Sequence, residues 1–210
     1  MGMKVKKMPS PKEVFKFMVE NAKPYRFEFV EEIQPLRVNV AEKKIYVNRE
    51  VLMDVIKDLL EAGLDWKEVM KKNLMHEKAH ELYQKYAEKW GVEASDYGWL
   101  PSFLIDVMID RVHLGKDQWY QKWLIADSRH SFRKTTEIFK DPKSRPQFVY
   151  NQAAYWIAIG AITEEEAISA YPEKAKYIME LSDLMKRIRS EKDLDEIFLK
   201  AKKLYLENFI

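Results

Sequence analysis

Between Asp65 and Gly91 the chain reads as one long capped helix, and no other stretch constrains the fold as strongly. Asp65 is an N-cap with Glu68 three residues on, and Gly91 supplies a left-handed stop just after Trp90. Helical phasing puts Met75, Ala79, Leu82, Tyr86 and Trp90 on one apolar stripe, expected to be buried. His76, His80, Tyr83 and Ala87 run beside that stripe, at the border of the core rather than in open solvent.

The flanking sequence is read around this helix. Ser10-Pro11 pairs an N-cap with proline at the first helical position, and the segment to about Ala22 reads as a helix. Residues 26–48 alternate differently, through Phe27, Phe29, Val30, Leu36, Val38, Val40, Ile45 and Val47, which predicts two or three short antiparallel strands. Pro35 belongs at an edge or turn of that sheet. Helices are expected over 50–61, 102–114, 116–126, 129–140 and 146–159, then a short one capped by Thr163, then a pair over 172–189 and 191–208. The fold class is therefore α+β and mostly helical, with a small antiparallel sheet packed on the motif helix and the helices after it. A core over 1–160 with a C-terminal helical extension over 161–210 is the expected organisation.

Within the long helix lies His76-Glu77-Lys78-Ala79-His80, an H-E-x-x-H pentapeptide in a chain with only four histidines. Residues four apart share a helix face, so His76 and His80 offer two imidazole nitrogens to one ion. Glu77 sits about 100° round the helix, within reach of a water beside that ion. Zinc sites of this kind take two His and one further protein ligand, leaving a position for water. No third His follows nearby, since positions 83 and 86 are Tyr83 and Tyr86. The next helix carries Asp106 and Asp110 among Phe103, Leu104, Val107, Met108 and Val112, and burial there calls for a cation or imidazole opposite. Asp106, Asp110, His113 and Glu93 are the candidates for the third ligand.

This combination resembles the gluzincin class of zinc metallopeptidases, in particular the small archaeal and bacterial minigluzincins, over roughly residues 26–115. The resemblance implies Zn2+ held by His76, His80 and Asp106, with Asp110 as the carboxylate that hydrogen-bonds a ligand imidazole, and Glu77 as general base. It also implies a peptide or protein substrate lying along an edge strand within 36–48. Asp106 stands where that class usually has Glu, and Lys78 and Glu81 are charged where it usually has neutral residues. These departures and the helical tail motivate an alternative, a zinc-binding but catalytically inactive scaffold of the same fold. Tyr97, His113, His130, Tyr150 and Tyr155 are candidate donors to the oxyanion of a tetrahedral intermediate.

Composition narrows the setting. The net charge of +2 sets 36 basic against 34 acidic residues, which argues against nucleic acid as a general partner. The basic stretch 129–145, with Phe132 and Phe139 between its charges, is expected to be the solvated face of an amphipathic helix. There is no apolar run of membrane-spanning length, and the basic Met1–Lys7 lacks the apolar core of a secretory signal. Absence of cysteine removes disulfides and thiolate ligands, fits the cytoplasm and, with abundant Lys and Glu, fits a thermophile.

Overall fold

The computed structural model describes residues 8–31, 36–39, 42–61 and 63–210; the basic N-terminus, Pro35 and part of the 39–48 hairpin lie outside them. The chain divides into two compact units, Met1–Gln84 and Lys85–Ile210. The fold class is as expected, mostly helical with one three-stranded sheet among the described residues.

In the first unit, helix α1 (Pro11–Asn21) starts where its capping residues direct. Ser10 Oγ accepts from the Glu13 N–H, and the Glu13 carboxylate accepts from the Ser10 N–H at 2.8 Å. Strands β1 (Arg26–Phe29), β2 (Leu36–Asn39) and β3 (Lys44–Val47) lie in the order β1-β3-β2. β2 and β3 are antiparallel, with Val38 opposite Ile45. β1 is parallel to β3, pairing Phe27 with Ile45, so the sheet is mixed rather than wholly antiparallel. β2 runs opposite in direction to both β1 and β3. A first strand that takes the free side of β3 must then run parallel to it. Alternation marked the strands but could not say which would be neighbours.

Ile45 and Val47 on the central strand are fully buried against Val14 and Met18 of α1, Leu52 and Ile56 of α2 (Arg49–Glu61), and Met70 and Leu74 of α3 (Trp66–Ala79). Each such side chain contributes about 1.5–3 kcal/mol of burial, so this cluster fixes how α3 packs on α1, α2 and β2. The buried side of α3 is Val69, Met70, Asn73, Leu74 and Glu77, while Met75, expected inside, is exposed.

α3 also stops earlier than its pattern suggested. His80 ends it, and α4 (Glu81–Trp90) begins at the next residue. His80 remains right-handed (φ −62°, ψ −8°), but its N–H bonds Glu77 O at 3.3 Å and its carbonyl accepts from the Tyr83 N–H at 2.8 Å, the three-residue spacing of a tightened turn. The charged residues on either side of the break are tied to the unit's other elements. Lys78 Nζ donates to Asn21 O at 2.8 Å, the end of α1, where a cation is favoured. Glu81 accepts from Tyr25 Oη at 2.8 Å and Lys43 Nζ at 2.6 Å.

The second unit is helical. After the last part of α4 come α5 (Asp96–Val107), a π-helix over Met108–His113, α6 (Gln118–Ile138), α7 (Phe148–Ala158), α8 (Glu164–Ala170), α9 (Ala175–Lys186) and α10 (Leu194–Phe209). α7 is buried along most of its length and packs on α5, α6, α8 and α9, while α10 packs on α9 and α5. The two helices expected over 116–140 are one. Asp127-Ser128 does not break it because Ser128 is buried on the same helix as Trp123, Leu124 and His130. Thr163 forms its expected capping box with Glu166. The end of α4 is fastened to the start of α10: Tyr86 Oη donates to Glu191 at 2.9 Å, Trp90 Nε1 to Asp195 at 2.9 Å, and the Trp90 ring stacks on Phe198 at 4.3 Å.

One backbone feature of this unit is costly. Tyr97, Gly98 and Trp99 are all left-handed (φ 51°, 62° and 64°), and two of the three carry bulky side chains. Asn151, fully buried in α7, holds the turn by donating to Tyr97 O at 2.8 Å and Gly98 O at 2.7 Å. Tyr177 Oη donates in turn to Asn151 Oδ1. A Cβ on Gly98 would lie 3.1 Å from Phe148 N, so the turn also needs glycine there for close approach.

Candidate metal centre

His76 occupies the last turn of α3 and His80 its C-cap, so the packing of α3 fixes both rings. Their Nε2 atoms are 3.0 Å apart and the rings meet edge to face at 4.8 Å. Both residues are half-buried, at the border of the core as expected. Burial pushes the His80 imidazole well below its ordinary range, and the neighbouring His76 adds to that. Neutral imidazole is the form able to ligate a metal, and burial favours that form at His80. Glu77 is 8% exposed, on the inner side of α3.

Asp106 lies on α5, one residue before it gives way to the π-helix. One ligand atom from each of His76, His80 and Asp106 lies within 4.8 Å of the others, a group able to hold a metal ion. Two imidazoles and a carboxylate are a zinc donor set, and they leave a coordination position for water. These residues therefore fit the ion by donor type and by spacing.

Asp110, on the π-helix, is fully buried, and both of its oxygens accept phenolic protons. Tyr155 Oη of α7 donates to Oδ2 at 2.6 Å, and Tyr120 Oη of α6 donates to Oδ1. Its backbone carbonyl accepts from Gln121 Nε2 at 2.8 Å, which satisfies an acceptor in the widened turn. Burial pushes the Tyr155 hydroxyl well above its ordinary range, with the Asp110 and Asp106 charges adding to this, so it remains a donor. No motif marks Tyr120 as a contributor. The Asp117 N-cap, which accepts from the N–H groups of Trp119 and Tyr120 at 2.9 Å each, was the available sign that Tyr120 begins a helix close to Asp110.

The other candidates are scattered through the second unit. His113 is exposed at the end of the π-helix. His130 is buried midway along α6. Tyr97 lies in the left-handed turn with its ring against Tyr205. Tyr150 gives its hydroxyl proton to Glu173 at 3.0 Å, and burial, then that contact, pushes it up to about 12. Glu93 precedes α5, its N–H bonded to Asp96 Oδ2 at 2.9 Å. Arg133, Lys134, Lys140 and Lys143 of the basic stretch are exposed, as a solvated face would be. Among the described residues no helix is long and apolar enough to cross a membrane. No family model matches the chain, and no curated protein or solved structure matches it.

Proposed function

We propose that this chain is a zinc-dependent metallopeptidase of gluzincin-like type, working in the cytoplasm, with His76, His80 and Asp106 as ligands. The observation that carries the reading is the mutual approach of those three ligand atoms to within 4.8 Å. Zinc held there supplies a Lewis acid that polarises a peptide carbonyl and lowers the pKa of water.

The chain's own residues do the rest. Glu77, one residue from His76 and largely shielded from solvent, takes the proton of the attacking water on its carboxylate and passes it to the departing amine. The His80 imidazole is kept neutral by burial, with a lone pair ready to donate. Lys78 and Glu81 serve the packing of α3 and the start of α4, so their charges are compatible with a working site. An extended peptide has two edges to choose from among the described strands, β1 and β2, and β2 is the one that packs on α3.

The test is peptide hydrolysis by zinc-loaded protein against a mixed peptide library, alongside Glu77→Gln. Turnover in the parent, with at least a ~100-fold loss in a variant that retains its zinc, supports the reading. Zinc retention with no hydrolysis by either protein would instead establish the inactive scaffold.

A further inference from the structure

We infer that Tyr155 and Tyr120 are positioning residues for the metal centre: their hydroxyls clamp Asp110 and through it set the stretch of helix that carries Asp106. The inference rests on the zinc reading above but concerns residues which that reading does not use.

Asp106 and Asp110 are four apart, a spacing that puts them on one face of a regular α-helix. Here the chain changes to π-helix at Met108, so the second carboxylate sits in a wider turn than the first. π-Turns are uncommon and frequent at functional sites, and this one carries side-chain contacts from outside the backbone ladder. Asp110 supplies three: Tyr155 Oη at 2.6 Å, Tyr120 Oη, and Gln121 Nε2 on its carbonyl at 2.8 Å. The two phenols come from different helices, α6 and α7, so Asp110 is gripped from two sides and its rotamer is fixed. Tyr155 is further braced by Phe103, whose ring centroid is 5.7 Å away and which lies three residues before Asp106 on α5.

A purely structural role for the same hydrogen bonds would leave a different signature. Tyr150 provides the comparison, since it is also on α7, is buried, and donates its hydroxyl to a carboxylate, that of Glu173 at 3.0 Å. Tyr150→Phe deletes the same atom from the same helix without touching Asp110.

The experiment measures zinc affinity by competition with a chromogenic chelator, the visible spectrum of the cobalt(II)-substituted protein, and thermal stability without metal. It uses the full chain and the variants Tyr155→Phe, Tyr120→Phe and Tyr150→Phe. Loss of either clamping hydroxyl is expected to weaken zinc binding roughly 10-fold, the scale seen when an outer partner of a ligand is removed, and to shift the cobalt bands. Tyr150→Phe should lower stability while leaving affinity and spectrum unchanged. If Tyr155→Phe and Tyr120→Phe lose only stability, as Tyr150→Phe does, the positioning role is overturned while the zinc reading stands. If the parent binds neither zinc nor cobalt, the zinc reading itself falls. Should one clamp variant not fold, the other still decides the matter, because each hydroxyl takes a different oxygen of Asp110.

Discussion

Replacing Asn151 by Ala should be among the most damaging single changes in the second unit. The side chain is fully buried, donates to Tyr97 O and Gly98 O, and accepts from Tyr177 Oη. Truncation removes the partner of all three groups, two in a part-buried turn and one buried, and each group left unsatisfied costs about 1–3 kcal/mol. The expected loss is therefore at least about 3 kcal/mol, or a fall in Tm of roughly 6–12 °C for a chain of this size. Two further variants test the reasoning. Asn151→Asp keeps the acceptor for Tyr177 but aims an oxygen at two carbonyl oxygens, so it should be at least as harmful. Tyr177→Phe removes only one of the three bonds and should cost about a third as much. Urea denaturation followed by circular dichroism measures all three. A loss under about 1 kcal/mol for Asn151→Ala, or an Asn151→Asp variant as stable as the parent, would refute the clamp.

Other expectations follow from the same contacts. Lys78→Met removes the cation from the end of α1 and should cost about 1 kcal/mol in chemical denaturation, without changing zinc affinity. Gly115→Ala places a Cβ 2.2 Å from Arg111 O, a backbone atom that cannot move aside, so a large fall in Tm is expected. Acid sensitivity should come partly from Glu191 and Asp195, held below the usual carboxylate range chiefly by Lys85 and Lys89 respectively. Because their folded pKa values are depressed, their contribution is present above the unfolded value of about 4 and lost as pH falls through the folded value. Glu191→Gln with Asp195→Asn should flatten the acid limb of the stability profile below about pH 4 and leave the shape above about pH 6 unchanged.

What was legible in the sequence was local. Ser10 with Glu13, Asp65, and Thr163 with Glu166 begin helices where their side-chain oxygens satisfy the first free N–H groups, a matter of three or four residues. The H-E-x-x-H spacing likewise brought His76 and His80 into contact, because that follows from helical geometry alone. What was illegible depends on partners far along the chain. The break at His80 is flanked by ties to Asn21, Tyr25 and Lys43. The left-handed Tyr97–Trp99 turn is held by Asn151, some fifty residues on, and bulky residues in that conformation run against local preference. The π-helix depends on Tyr120, Gln121 and Tyr155, so nothing in the apolar pattern of 103–112 distinguishes it from an ordinary helix. Such departures are where function is expected to be found, and two of the three flank proposed ligands.

The central claim is that His76, His80 and Asp106 hold zinc, and metal analysis of protein purified without chelator or affinity metal tests it most directly. About one zinc per chain is expected, lost on substituting either histidine, with a melting temperature that falls when a chelator removes the ion. Less than about 0.2 zinc per chain, with melting unchanged by chelation and by zinc addition, would contradict it.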